Sequence, residues 1–289
     1  MKTIFSKLPR RSFFAMLPAL LTACSGADLL NATVSTDSYR RTEGLAYGTD
    51  PRQLIDVYQP AAGDSRAPLV VFFYGGSWSS GERGDYRFVG EALASRGIVA
   101  MVADYRLSPA VRYPAFVQDS ASAVRWAVDH AAQFGADEHR IFVMGHSAGA
   151  YNAAMVALDA RWLAAVGLAP SRLAGWIGLA GPYDFLPIVD PQARVAFNWP
   201  QTPADSQPIV HASAASPPAL LLAPVLDSVV NPQRSTVAMA ARLRASGVQV
   251  ESELFDGVSH VTLLASMAQV LRSRAPVLAR VAGFVQSTG

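Results

Sequence analysis

The chain has one cysteine, Cys24, in 289 residues, so no disulfide can form within a single copy. Charge is scarce as well. Asp, Glu, Lys and Arg make up 16% of the residues against 51% hydrophobic ones, which excludes a self-repelling disordered chain and supplies material for a large buried core. The formal charge of +2 leaves no nucleic-acid footprint: Lys2, Lys7, Arg10 and Arg11 stand in a stretch of 23 residues without an acid, and removing those four charges turns +2 into −2. A spanning segment is missing from that stretch too, because an apolar run of about ten residues, Ser12 to Leu21, cannot cross about 30 Å of hydrocarbon as a helix.

What is present is an alternation. From Leu54 onward, apolar runs of strand length follow amphipathic stretches of helix length, the pattern of βαβ units around a mostly parallel, doubly covered sheet. The length suits one α/β domain. Leu54 to Tyr58 alternates and ends at Pro60, which predicts an early edge strand, whereas Leu69 to Tyr74, Ile98 to Ala103 and Ile141 to Met144 are continuous apolar runs expected of strands buried on both faces. Helical spacing covers Tyr86 to Arg96, Pro114 to Phe134, Ala148 to Asp159 and Gln233 to Ser246. Short strands are expected at Trp176 to Ala180, Ala219 to Ala223 and Val248 to Phe255, and a mostly helical C-terminus runs from Thr262 to Val285, interrupted near Pro276.

The segment 181–218 breaks the rhythm, with eight of the chain's 19 prolines, several aromatics and little periodicity. A long irregular insertion beyond the carboxyl end of a sheet strand reads as a small lid over a pocket; the plainer reading is a solvated loop.

Gly145-His146-Ser147-Ala148-Gly149 fits Gly-x-Ser-x-Gly, and an apolar strand runs into it and a helix out of it. That context is what a nucleophile elbow requires, since the strained turn projects the serine hydroxyl from the sheet. A serine hydroxyl needs a base. Of five histidines, His130 and His139 precede the elbow strand, His211 falls in the insertion, and His146 sits inside the elbow and is read as a packing residue. His260 follows the last strand, where a loop would return across the sheet top. The base in turn needs a carboxylate, in the order Ser, Asp, His. Asp227, after Ala219 to Pro224, is the best candidate; its rivals are Asp184, expected to cap or order the lid, and Asp256, expected to face solvent. Tyr74-Gly75-Gly76-Ser77-Trp78 stands at a strand end where backbone amides could meet a developing oxyanion.

With these pieces placed, the chain from about Asp56 onward resembles the α/β-hydrolase carboxylesterases, in particular the hormone-sensitive-lipase-like and bacterial feruloyl-esterase-like group. The marks are the Tyr74 to Trp78 loop, Asp104-Tyr105-Arg106-Leu107, Tyr113-Pro114-Ala115 with Asp119, Gly145 to Gly149, Asp227 before Val229-Val230, and His260. The resemblance implies an α/β-hydrolase fold and hydrolysis of a small-molecule carboxylic ester through an acyl-enzyme on Ser147, with Asp227 and His260, and without cofactor or metal. It places the oxyanion amides at Gly76, Ser77 and Ala148 and makes Arg106 and Asp119 a structural ion pair. Tyr74 stands where the group usually has His, and Ala223-Pro224 where His-Gly is common. There is little room before the first strand for a helical cap, so the pocket is expected to be open and roofed by Trp78, Tyr151, Phe185, Phe197 and Trp199.

Leu21-Thr22-Ala23-Cys24, behind a basic and then apolar start, resembles the lipobox of bacterial lipoproteins. It implies a signal peptide over 1–23, a lipidated tether over 24–40 and a catalytic domain over 41–289. Cys24 would be the lipidation site, anchoring the chain in the cell envelope, with Ser25 favouring the outer membrane facing the periplasm. Arg10-Arg11-Ser12-Phe13-Phe14 further resembles a twin-arginine export signal.

Three other readings share these residues. An amidase or arylformamidase uses the same triad, a lipase or polymer hydrolase differs in its lid, and a non-catalytic envelope lipoprotein would use the fold for binding alone.

Overall fold

In the computed structural model, described for residues 26–62 and 66–288, eight strands form one sheet. They are β1 (Tyr39–Ala46), β2 (Leu54–Pro60), β3 (Ala67–Phe73), β4 (Val99–Ala103), β5 (Ala136–His146), β6 (Gly175–Leu179), β7 (Ala219–Pro224) and β8 (Val250–Phe255). Their order across the sheet is β1-β2-β4-β3-β5-β6-β7-β8, with antiparallel pairing at β1/β2 and β2/β4 and parallel pairing elsewhere. The helices are α1 (Gly26–Ala32), α2 (Arg87–Ala94), α3 (Ala115–His130), α4 (Ala148–Leu158), α5 (Ala160–Ala164), α6 (Pro191–Ala196), α7 (Ala238–Ala245), α8 (His260–Ala265) and α9 (Val277–Ser287). Among the described residues no helix is long and apolar enough to cross a membrane.

The continuous apolar runs Leu69 to Tyr74, Ile98 to Ala103 and Ile141 to Met144 are buried throughout, along β3, β4 and β5, and every residue of the short strands β6 and β7 is buried beside them. Sandwiched strands of this kind draw their stability from apolar area removed from water on both faces. The parallel register also aligns their ends, with Phe73 opposite Gly145, His146 opposite Leu179 and Pro224 opposite Phe255. All loops that carry candidate chemistry therefore leave one edge of the sheet.

Two expectations are corrected at the N-terminal side. β2 is not the edge strand, because β1 pairs outside it, with a bulge between Thr42 and Leu45. β1 is mostly exposed and polar, as an edge strand that must not attract other strands is, so it shows no apolar pattern. The stretch read as a tether over 24–40 also contains folded structure. α1 docks on the domain: Asn31 Nδ2 donates to the Gly84 carbonyl at 2.9 Å, its Oδ1 accepts from the Phe88 amide at 3.2 Å, and Leu30 packs against the core. The proposed signal peptide and Cys24 lie outside the described residues.

Candidate active site

β5 runs into Ser147, whose backbone sits at φ 53°, ψ −122° before α4 begins. Gly149 is required by close approach, since a Cβ there would lie 2.0 Å from the Phe73 carbonyl oxygen. The Ser147 amide donates to the Leu179 carbonyl at 2.9 Å, which ties the elbow to the end of β6.

At the same end of the sheet, Asp227 follows β7, two strands along from β5, and His260 opens α8 after β8. Ser259 caps that helix in a reciprocal capping box with Thr262, so His260 is held at its first position. Asp227 Oδ2 accepts from His260 Nδ1 at 2.7 Å, and Oδ1 accepts from the amides of Val229 at 2.8 Å and Val230 at 3.1 Å. Burial alone would raise the carboxyl's pKa, but the His260 hydrogen bond and the two amides outweigh it and hold the group below its ordinary value. An ionised Asp227 fixes the proton on Nδ1 and leaves Nε2 as the free base. Neither rival carboxylate takes part: Asp184 pairs with Arg234 at 2.8 Å, and Asp256 is exposed.

The loop after β3 turns through positive φ at Gly76 (118°), Ser77 (49°) and Trp78 (57°). Gly76 is needed on two counts, because a Cβ there would also fall 2.3 Å from the Ser80 carbonyl oxygen. Tyr74 holds the base of this loop. Its ring stacks between Tyr86 and Tyr105 at 5.1 and 4.9 Å, and its hydroxyl donates to Asp104 Oδ1 at 2.7 Å and accepts from Arg52 at 2.8 Å. Tyr105 donates to the Tyr74 carbonyl at 2.7 Å. A tyrosine in place of the expected histidine thus braces the loop through stacking and an Asp104–Arg83–Asp56 ion network. The Arg106–Asp119 pair is present as expected, bridging the chain after β4 to α3 at 2.7 Å with Asp119 buried.

Among the described residues, Ser147 faces two cavities, and Ser77 borders both. The first, of about 390 Å³, is also lined by Ala148, Trp78, Phe185, Ile188, Val189 and Ala193. The insertion 181–218 therefore forms part of its wall. Of the five aromatics expected to roof the pocket, Trp78 and Phe185 line it, whereas Tyr151, Phe197 and Trp199 do not. Tyr151 and Phe197 are fully buried behind the wall, edge-on to the Trp78 ring at 5.2 and 4.7 Å, and Trp199 is partly buried against the core. Large rings gain more by filling the space behind Trp78 than by meeting water. Ile188, Val189 and Ala193 carried no sequence signal as pocket residues, since only the fold of the insertion brings them to the cavity, Ile188 and Ala193 buried and Val189 exposed at its rim.

His146, read from the sequence as a packing residue, is one. It is buried, and its Nε2–H donates to the main-chain carbonyl of His260 at 2.9 Å.

The comparisons with known proteins agree with this geometry. The BD-FAE family model matches residues 55–243, from β2 into α7. The chain belongs to the BD-FAE family. Among relatives of this BD-FAE chain, the isoprenylcysteine alpha-carbonyl methylesterase ICME of Arabidopsis thaliana is 27% identical over 240 residues, covering 76% of this chain and 56% of that protein. The esterase LipC of Mycobacterium tuberculosis is 29% identical over 226 residues, covering 72% and 56%. The chain thus spans little more than half the length of these curated relatives. An esterase structure from Pyrobaculum calidifontis superposes with a TM-score of 0.74 at 24% identity over 90% of this chain and 89% of that one, and the BD-FAE chain shares its α/β-hydrolase fold.

Proposed function

We propose that this protein is a serine carboxylesterase. The observation that carries the reading is the 2.7 Å contact between His260 Nδ1 and Asp227 Oδ2, with His260 and Ser147 lining one cavity. Ser147 Oγ attacks the ester carbonyl carbon while His260 Nε2 takes its proton. The amides of Gly76, Ser77 and Ala148 receive the oxyanion, and the first turn of α4 has N–H groups left over for that purpose. His260 then returns the proton to the leaving alcohol oxygen as the carbon–oxygen bond breaks. Water reverses the sequence on the acyl-enzyme, and acid and alcohol are the products. The names of the relatives, both esterases, support this reading.

A fluorophosphonate probe should label Ser147 stoichiometrically, and Ser147→Ala should abolish both labelling and turnover of p-nitrophenyl butyrate. An unlabelled protein, or a fully active Ala variant, would sink the reading.

The address is part of the same proposal. The basic and apolar start followed by Leu21-Thr22-Ala23-Cys24 supports lipidation at Cys24 and anchoring in the envelope, with Ser25 favouring the outer membrane facing the periplasm. Metabolic labelling with a fatty acid, lost in Cys24→Ala, tests it.

A further inference from the structure

Resting on that reading of Ser147 and His260, the two cavities can be given different halves of the substrate. The acyl carbon bonds to Ser147 Oγ, and the leaving oxygen must come within hydrogen-bond reach of His260 Nε2. The alcohol half therefore departs on the side of His260. Only one of the two cavities at Ser147 includes His260, and it is the larger, of about 620 Å³. The smaller cavity, away from His260, is left for the acyl group.

The larger cavity has an apolar wall that the sequence did not foretell. Leu29 and Leu30 of α1, Tyr86 and Phe88 around the start of α2, and Val261 and Leu264 of α8 line it. α1, the helix found where a tether was expected, is what closes this side. Leu29, Val229 and Val261 border this one cavity and are 63%, 64% and 67% exposed, so together they present apolar surface to whatever enters it.

We propose that this cavity binds the alcohol moiety of the substrate and selects lipophilic alcohols, so that the favoured substrates are esters whose alcohol carries an extended alkyl chain lying along α1. Each methylene that enters the cavity should raise kcat/KM by about two- to fourfold.

The test compares two ester series on the full chain. In acetates of ethanol, butanol, hexanol and octanol, followed by proton release, kcat/KM should climb at least about tenfold from ethyl to octyl. Methyl esters of acids of matching length vary the other half. Ala27→Trp, which intrudes into the cavity from α1, should lower octyl acetate turnover at least about tenfold and leave ethyl acetate within about twofold. Leu29→Ser, at an exposed side chain whose change leaves the core intact, should act in the same direction and serves if the Trp variant melts early. A flat response to alcohol length, or an equal loss on ethyl and octyl acetate in both variants, would overturn the assignment. Failure of the underlying reading shows separately, as hydrolysis that survives Ser147→Ala.

Discussion

The buried imidazole of His146 donates its Nε2 proton to the main-chain carbonyl of His260 at 2.9 Å, one residue before the candidate nucleophile and at the start of the helix that presents the candidate base. Burial first, and the neighbouring charge of His260 second, push the pKa of His146 down to about 3. It is therefore a neutral strut whose tautomer is set by the carbonyl it meets.

Folded His146 resists protonation to about pH 3, whereas an unfolded histidine takes a proton near 6.5. Between those values the unfolded chain binds more protons, so stability declines as pH drops through this window, by up to about 1.4 kcal/mol per pH unit. Asp227, with its lowered pKa, adds a loss of the same sign at the acid end. Urea unfolding at pH 7 and pH 4.5 should show a smaller difference for His146→Gln than for the parent; identical differences would mean that His146 is not the titrating group.

Asp227→Asn should keep the fold and reduce kcat on p-nitrophenyl butyrate by roughly 10³- to 10⁴-fold, since an amide that donates to Nδ1 would favour the wrong tautomer of His260. Asp184→Asn and Asp256→Asn should stay within about threefold of the parent, because neither carboxylate touches His260. A large loss at either rival instead of Asp227 would reassign the acid.

At Gly149, an added methyl group meets the carbonyls of Phe73 and Tyr74 at 2.0 and 2.5 Å, and backbone on both sides has nowhere to yield. Gly149→Ala should cost at least about 1–3 kcal/mol in chemical denaturation and lower activity along with it. An undisturbed midpoint would show that the helix after Ser147 is looser than its packing indicates.

Arg106→Met keeps the aliphatic stem but removes the guanidinium from the buried carboxylate of Asp119, which keeps Gln53 and the Arg106 amide as partners. Stability should fall by about 3 kcal/mol while KM for p-nitrophenyl butyrate is unchanged, the signature of a residue that holds structure rather than substrate. A KM effect without a stability effect would place Arg106 in the binding site.

The sequence by itself determined the parallel core, the elbow at Ser147 and the short list of partners. Strands buried on both faces must be apolar throughout, and the glycines of a tight turn leave a local mark. It ranked Asp227 first among the acids by strand position alone. Only the tertiary structure gave that carboxylate its contact with His260, because a hydrogen bond across 33 positions depends on where two loops end. The same holds for β1, an exposed edge strand with no periodic pattern before it pairs, and for α1, whose docking turns an expected tether into a cavity wall. Aromatic residues were legible as a group near the site, but not which rings face the cavity and which lie behind Trp78. That sorting is decided by how the insertion packs, a many-body outcome with no signature at any single position.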